Sequence, residues 1–114
     1  MTFLPRMYRR DGTPYSSGDE GLLEWTRDFG ADNIVRQDKL SDGSFISTVW
    51  IGLDLDTFNM VRGRAHQPLI FETITWDARD EIVEMRRYPT ENDAIVGHVE
   101  AVDRQQAKVN HGNT

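Results

Sequence analysis

Ser41-Asp42-Gly43-Ser44, running into Phe45-Ile46-Ser47-Thr48-Val49-Trp50-Ile51-Gly52-Leu53, is the stretch on which the fold turns. An Asp-Gly pair between two extended runs is a strong short-range hairpin signal, because both residues tolerate the positive φ of a two-residue turn. Residues 34–39 supply the incoming strand. Residues 45–53 supply the returning one, with apolar groups at odd positions (Phe45, Val49, Ile51, Leu53) and at even ones (Ile46, Trp50). A strand apolar on both faces belongs in the middle of a sheet.

Toward the N-terminus, Ser17 and Glu20 have the spacing of a capping box, so a helix is expected over 17–30. Leu22, Trp25, Thr26 and Phe29 share one of its faces, with Leu23 beside them, and Gly30 is placed to end it in a left-handed conformation. Residues 1–16, with a turn signal at Asp11-Gly12 and then Pro14, read as irregular. Toward the C-terminus come a loop over 54–67 and a strand over 69–76. Asp77-Ala78-Arg79-Asp80 then makes a turn into a strand over 81–88. Pro89 stops that strand. Thr90 caps a helix reaching about Lys108, with Asp93 three residues on and an apolar stripe of Ala94, Ile95, His98, Val99, Ala101 and Val102. Residues 109–114 read as a frayed tail. Helix, four strands and helix, with the strands joined by short or medium connections, make one α+β domain over 1–114. Its core is a four-stranded antiparallel meander with an N-terminal and a C-terminal helix packed on it.

Composition narrows the chemistry. The chain has no cysteine among its 114 residues, which excludes disulfides, thiolate nucleophiles and cysteine zinc sites. Its apolar runs fall short of the roughly 20 residues of a membrane span, and its first residues lack the plan of a signal peptide. A cytoplasmic protein is expected. The net charge of −6 argues against nucleic acid as a partner, since phosphate affinity comes from clustered Lys and Arg. It suits docking on a basic partner, or simply solubility.

No Gly-x-Ser-x-Gly elbow, phosphate-cradling loop or dinucleotide fingerprint is present, and His66, His98 and His111 form no paired motif. A protein that binds rather than catalyses, without a cofactor, is therefore expected. Asp54 and Asp56, two apart in an extended stretch, point to one side and with His66 would offer a divalent ion oxygen and imidazole ligands. Turn formation and solubility are the plainer role for such a pair. Arg62, Arg64 and His66 form a small positive spot suited to a phosphate or carboxylate, against the plainer reading of a solvated loop. The same holds for Arg6, Arg9 and Arg10. His98 is expected to be half-buried with a backbone partner.

Glu72 shares a strand face with Ile70, Ile74 and Trp76, where a carboxylate must be paired or exposed. If helices cover the Val49/Ile51 and Leu69/Phe71 side, the opposite face shows Ile46, Trp50, Ile70, Ile74 and Trp76. An apolar face of that kind marks an interface, and tryptophan is enriched among binding hot spots. The competing expectation is cover from within the chain, by residues 1–16 or by one helix on each side. Gly52 reads as a bulge or a point of close approach.

Ser47-Thr48-Val49-Trp50-Ile51-Gly52-Leu53-Asp54, Pro68-Leu69-Ile70-Phe71-Glu72-Thr73 and Arg87-Tyr88-Pro89-Thr90-Glu91, with Ala94 and Gly97-His98 after it, resemble a group of small proteins encoded in bacteriophage and prophage genomes. The resemblance spans about half the chain and carries no catalytic signature. Members often have histidine where this chain has Leu55, and a shorter, glycine-rich loop before the Pro-Leu-Ile-Phe segment. The resemblance implies a phage accessory protein acting in the host cytoplasm.

Three functional expectations follow. The first is a protein that docks on a host or phage protein, for instance as an inhibitor of a defence nuclease, with a homodimer through the sheet face as one form of such docking. The second is a binder of a small ligand or nucleotide, with Arg62, Arg64 and His66 on phosphate and Trp50 or Phe58 stacked on a base. The third is a metal-assisted hydrolase built on Asp54, Asp56 and His66.

Overall fold

The computed structural model describes residues 6–54 and 67–112. In chain order these form α1 (Asp19–Ala31), β1 (Ile34–Lys39), β2 (Phe45–Trp50), β3 (Phe71–Trp76), β4 (Ile82–Tyr88) and α2 (Glu91–Gly112). The strands make one sheet in the order β1-β2-β3-β4, every neighbouring pair antiparallel, as the α+β meander requires. No described helix is long and apolar enough to cross a membrane.

The two hairpins share one construction. Leu40 N–H donates to Ser44 O at 2.8 Å and Gly43 N–H to Leu40 O at 3.0 Å, with Gly43 at φ 96°. The second repeats the pattern, Asp77 N–H to Glu81 O at 2.9 Å and Asp80 N–H to Asp77 O at 3.0 Å, with Asp80 at φ 62°. The Asp-Gly pair thus serves a three-residue loop with a left-handed last residue, and not the two-residue turn expected.

Several helix ends differ from the sequence reading. The N-cap of α1 is Gly18 and makes no side-chain cap bond, so Ser17 and Glu20 form no capping box. Gly30 lies inside the helix, which ends at Asp32 in an extended conformation. The cap of α2 is as expected, Asp93 N–H donating to Thr90 Oγ1 at 3.1 Å. Its far end is not frayed at 109 but continues to Gly112, with Val109 buried. Ala94, Gly97, His98, Ala101, Gln105 and Val109 are the buried side of α2, while Ile95 and Val99 are exposed. The true stripe contains two polar residues, which hid its last turns from a search for apolar spacing.

The register of β2 on β3 decides what is buried. Ile46 pairs with Thr75, Thr48 with Thr73 and Trp50 with Phe71, so even positions of β2 face odd positions of β3. One side of these two strands therefore carries Ile46, Thr48, Trp50, Phe71, Thr73 and Thr75; the other carries Phe45, Ser47, Val49, Glu72, Ile74 and Trp76. The grouping of Ile46 and Trp50 with Ile74 and Trp76 does not occur. Trp50 is 2% exposed, and Ile46 and Ile70 are equally enclosed. Parity along one strand cannot fix its neighbour's, because the connection between them sets the offset.

Helix α2 crosses all four strands on the first of these sides. Small residues at 94, 97 and 101 let it lie close. Gly97 seats against the Tyr88 ring so tightly that a methyl group there would overlap it. Beyond the reach of α2, the chain's beginning covers Trp50. Residues 7–15 fold back on themselves, Tyr15 N–H donating to Met7 O at 3.0 Å, and attach to the end of β2 through Tyr8 N–H to Gly52 O at 2.8 Å. Met7, Tyr15, Trp50, Ile70, Phe71 and Ala94 then form a core on which Leu22, Trp25 and Phe29 of α1 pack. The Trp50 indole N–H donates to Tyr8 O at 3.1 Å, and Phe29 and Tyr15 flank its ring. Cover by the irregular N-terminal stretch is the outcome at this tryptophan. Gly52, at φ 68°, is the close approach, its α-carbon pressed against the Trp25 and Trp50 indoles.

Gly97→Ala should cost about 1–3 kcal/mol by overpacking, and Asp80→Gly should add up to about 1 kcal/mol by relieving a left-handed non-glycine. Urea unfolding of the two variants beside the parent checks both signs.

Candidate functional site

The most connected polar group lies under α2. Thr73 and Thr48 hydroxyls meet at 2.5 Å, Thr48 Oγ1 meets His98 Nδ1 at 2.7 Å, and His98 Nε2 meets Asp38 Oδ2 at 2.7 Å. One proton arrangement satisfies every link. His98 Nε2–H donates to the carboxylate, Thr48 donates to Nδ1 and Thr73 donates to Thr48. Gln105 Nε2 donates to Ser44 Oγ at 3.1 Å beside this chain. Arg104 holds Glu84 on β4 through Nε at 3.1 Å and through Nη2. His98 is thus fully buried with side-chain partners, where a half-buried ring with a backbone partner was expected.

Hydroxyl, imidazole and carboxylate in a row are the parts of a nucleophilic triad. Here Thr48 and His98 are both 0% exposed and Thr73 occupies the hydroxyl's far side. A substrate has no path to that oxygen. The row fastens helix to sheet, and its bond from His98, helped by Arg36, holds the Asp38 carboxyl below its ordinary range.

The other side of the sheet is the candidate surface. Phe45, Val49, Ile74 and Trp76 stand on it half-buried, and Met85, paired with Ile74 from β4, is 50% exposed. Neither described helix lies there. Trp76 tilts against Phe45 with ring centroids 5.7 Å apart, and together with Lys39, Gly43 and Asp80 they line an open groove of about 470 Å³. Glu72 is paired as its setting demanded, accepting from Arg87 Nε across the strands at 3.0 Å. Lys39 makes no ion pair among the described residues, so the face combines apolar rings with a cation in an acidic chain.

Of the expected site residues, Trp76, Ile74 and Glu72 share this surface, and Trp50 lies on the opposite side in the core. Arg62, Arg64 and His66 lie outside the described residues, as do Asp56 and Phe58. Asp54 is 3% exposed and its N–H donates to Arg6 O at 3.0 Å. Among the described residues no three His, Cys, Asp or Glu side chains come together as a metal site. Trp50, buried with Tyr15 and Phe29 against it, is unavailable for stacking on a base. The Arg9 and Arg10 cations are committed inside the chain. Arg9 lies over the Tyr15 ring at 4.6 Å and pairs with Glu24, and Arg10 pairs with Glu91 and Asp32. The sequence reading missed Phe45, Val49, Lys39 and Met85. The pairing of Lys39 with Phe45 across the Asp42-Gly43 turn was the signal for two of them.

No family model matches the chain, and neither does any curated protein or solved structure.

His98→Phe should destabilise the fold by roughly 2–4 kcal/mol, because Asp38 and Thr48 lose their buried partner. Asp38's folded-state pKa is depressed below 3.8, so its share of stability is present above that pH and is lost as pH falls through the lower folded value. Urea midpoints between pH 7 and pH 2.5 should show a shallower acid loss in His98→Phe than in the parent.

Proposed function

We propose that the chain acts by binding a protein partner on the side of its sheet that neither described helix covers. The observation that carries this reading is the apolar set Phe45, Val49, Ile74 and Trp76, half-buried, with the exposed Met85 beside them and a groove at the tryptophan. Burying such a side chain on a partner is worth about 1.5–3 kcal/mol, and aromatic anchors seated in pockets dominate interface energetics. The ion-paired Glu72 and Arg87 leave no lone charge at the other end of β3, which a partner covers without stranding a carboxylate.

The resemblance of residues 47–54, 68–73 and 87–91 supplies the setting. It favours a bacteriophage accessory protein in the cytoplasm of its bacterial host, directed at a host or phage protein and suited to inhibiting a defence enzyme. In this reading no catalytic residue and no cofactor are involved.

Trp76→Ala should weaken partner capture at least about 30-fold, corresponding to a hot spot of roughly 2 kcal/mol, with the melting temperature nearly unchanged. Trp50→Ala should unfold the chain instead. Affinity capture from bacterial lysate, followed by titration of the captured protein against each variant, measures this. Equal affinity of parent and Trp76→Ala would remove the surface from consideration.

A further inference from the structure

We propose that two copies of this chain pair through the outer edges of their β4 strands, joining two four-stranded sheets into one of eight. In the order β1-β2-β3-β4 the two edges are β1 and β4. An edge strand exposes unpaired N–H and C=O groups, and proteins that stay apart guard such edges with charges and bulges. The β1 edge is guarded, with an irregularity between Ile34 and Arg36 and then Arg36, Asp38 and Lys39, the first two ion-paired at 3.1 Å. The β4 edge has an irregularity too, at Val83 where the register with β3 slips, and a charged pair of its own in Glu84 and Arg86. It is nevertheless one residue longer and shows more apolar surface, with Ile82 54%, Val83 43% and Met85 50% exposed.

The sequence of β4 selects both the occupant and the register. Two copies meet antiparallel about a twofold axis. An axis through Glu84 sets carboxylate against carboxylate, and one through Arg86 sets guanidinium against guanidinium; like charges directly opposite are destabilising. An axis through Met85 places each Glu84 opposite Arg86 of the second copy, twice over, with Met85 against its own copy between them. Glu84 and Arg86 already stand on one side of the strand, 3.2 Å apart within a single chain. Registers centred between residues would oppose an even position to an odd one, whose side chains point to opposite faces, so the twofold axis, normal to the sheet, must pass through a residue. The Met85 axis keeps both helices on one side and both open faces on the other.

Area points the same way. Four strands of about six residues cover roughly 19 by 20 Å, near 380 Å² in plan, about half of the roughly 800 Å² that each side of a standard interface contributes. Joining two sheets edge to edge brings the continuous open face to that scale. That gain in area rests on the proposed partner site, whereas the pairing itself rests on the β4 sequence and stands whatever the face binds.

Light scattering of the eluting full chain at about 100 µM should give twice its 13.1 kDa. Arg86→Glu, which opposes two carboxylates, should weaken the dimer at least tenfold with unchanged circular dichroism. The chain has no cysteine of its own, so Met85→Cys should become disulfide-linked under mild oxidation, whereas Gln37→Cys on the β1 edge should not. A monomeric parent, an Arg86→Glu dimer as tight as the parent's, or equal cross-linking at Gln37→Cys would each overturn the proposal. Trp76→Ala should keep the doubled mass while losing the partner, which separates the two proposals.

Discussion

Thr73, Thr48, His98 and Asp38 belong to β3, β2, α2 and β1 in turn, so one unbroken run of hydrogen bonds crosses three strands and the helix laid over them. Arg104 on Glu84 extends the fastening to β4. The arrangement follows from how close α2 lies. Alanine and glycine at its contact positions leave little depth for large apolar side chains, and the threonines and imidazole that fill the space must find partners among themselves. Each does. A network satisfied in only one helix placement also fixes that placement, which a layer of interchangeable leucines would not.

The same constraint accounts for the division of labour between the sheet's sides. The covered side spends its apolar groups at the two ends, Ile46 under α2 and Trp50 with Phe71 under the N-terminal stretch, with polar bonds between. The other side keeps Phe45, Val49, Ile74 and Trp76 half-buried around Ser47 and the paired Glu72, a surface that no described helix needs. Tyr15 shows how the N-terminal stretch is secured. Its hydroxyl donates to Asp28 of α1 at 2.7 Å, and burial, then that bond, pushes the phenol's pKa upward, so it remains a donor across the neutral range.

The elements were legible in the sequence because turns and caps are local: Asp42-Gly43, Asp77 to Asp80, and Thr90 with Asp93. The faces were not. Placing Trp50 beside Trp76 required the β2–β3 register, which depends on a long connection and leaves no mark on either strand. The inward side of α2 was read in part, at Ala94, His98 and Ala101, while Gln105 looks like a surface residue until Ser44 is seen to receive it. Glu72 was readable because a carboxylate amid Ile74 and Trp76 demanded a cation, and Arg87 stands opposite. Trp76 was chosen for its residue type and kept its place on the open side.

The three indoles occupy three different surroundings. Trp50 is sealed in the core, Trp25 sits where α1 meets the end of β2 with its N–H on Ile51 O at 3.1 Å, and Trp76 stands half-wet in its groove. Their emission maxima should therefore be spread from blue to red within one chain. Quenching by a water-borne agent would reach Trp76 first, and a blue shift confined to that component would signal occupation of the groove with no label attached. The molecule carries its own optical gauge of docking.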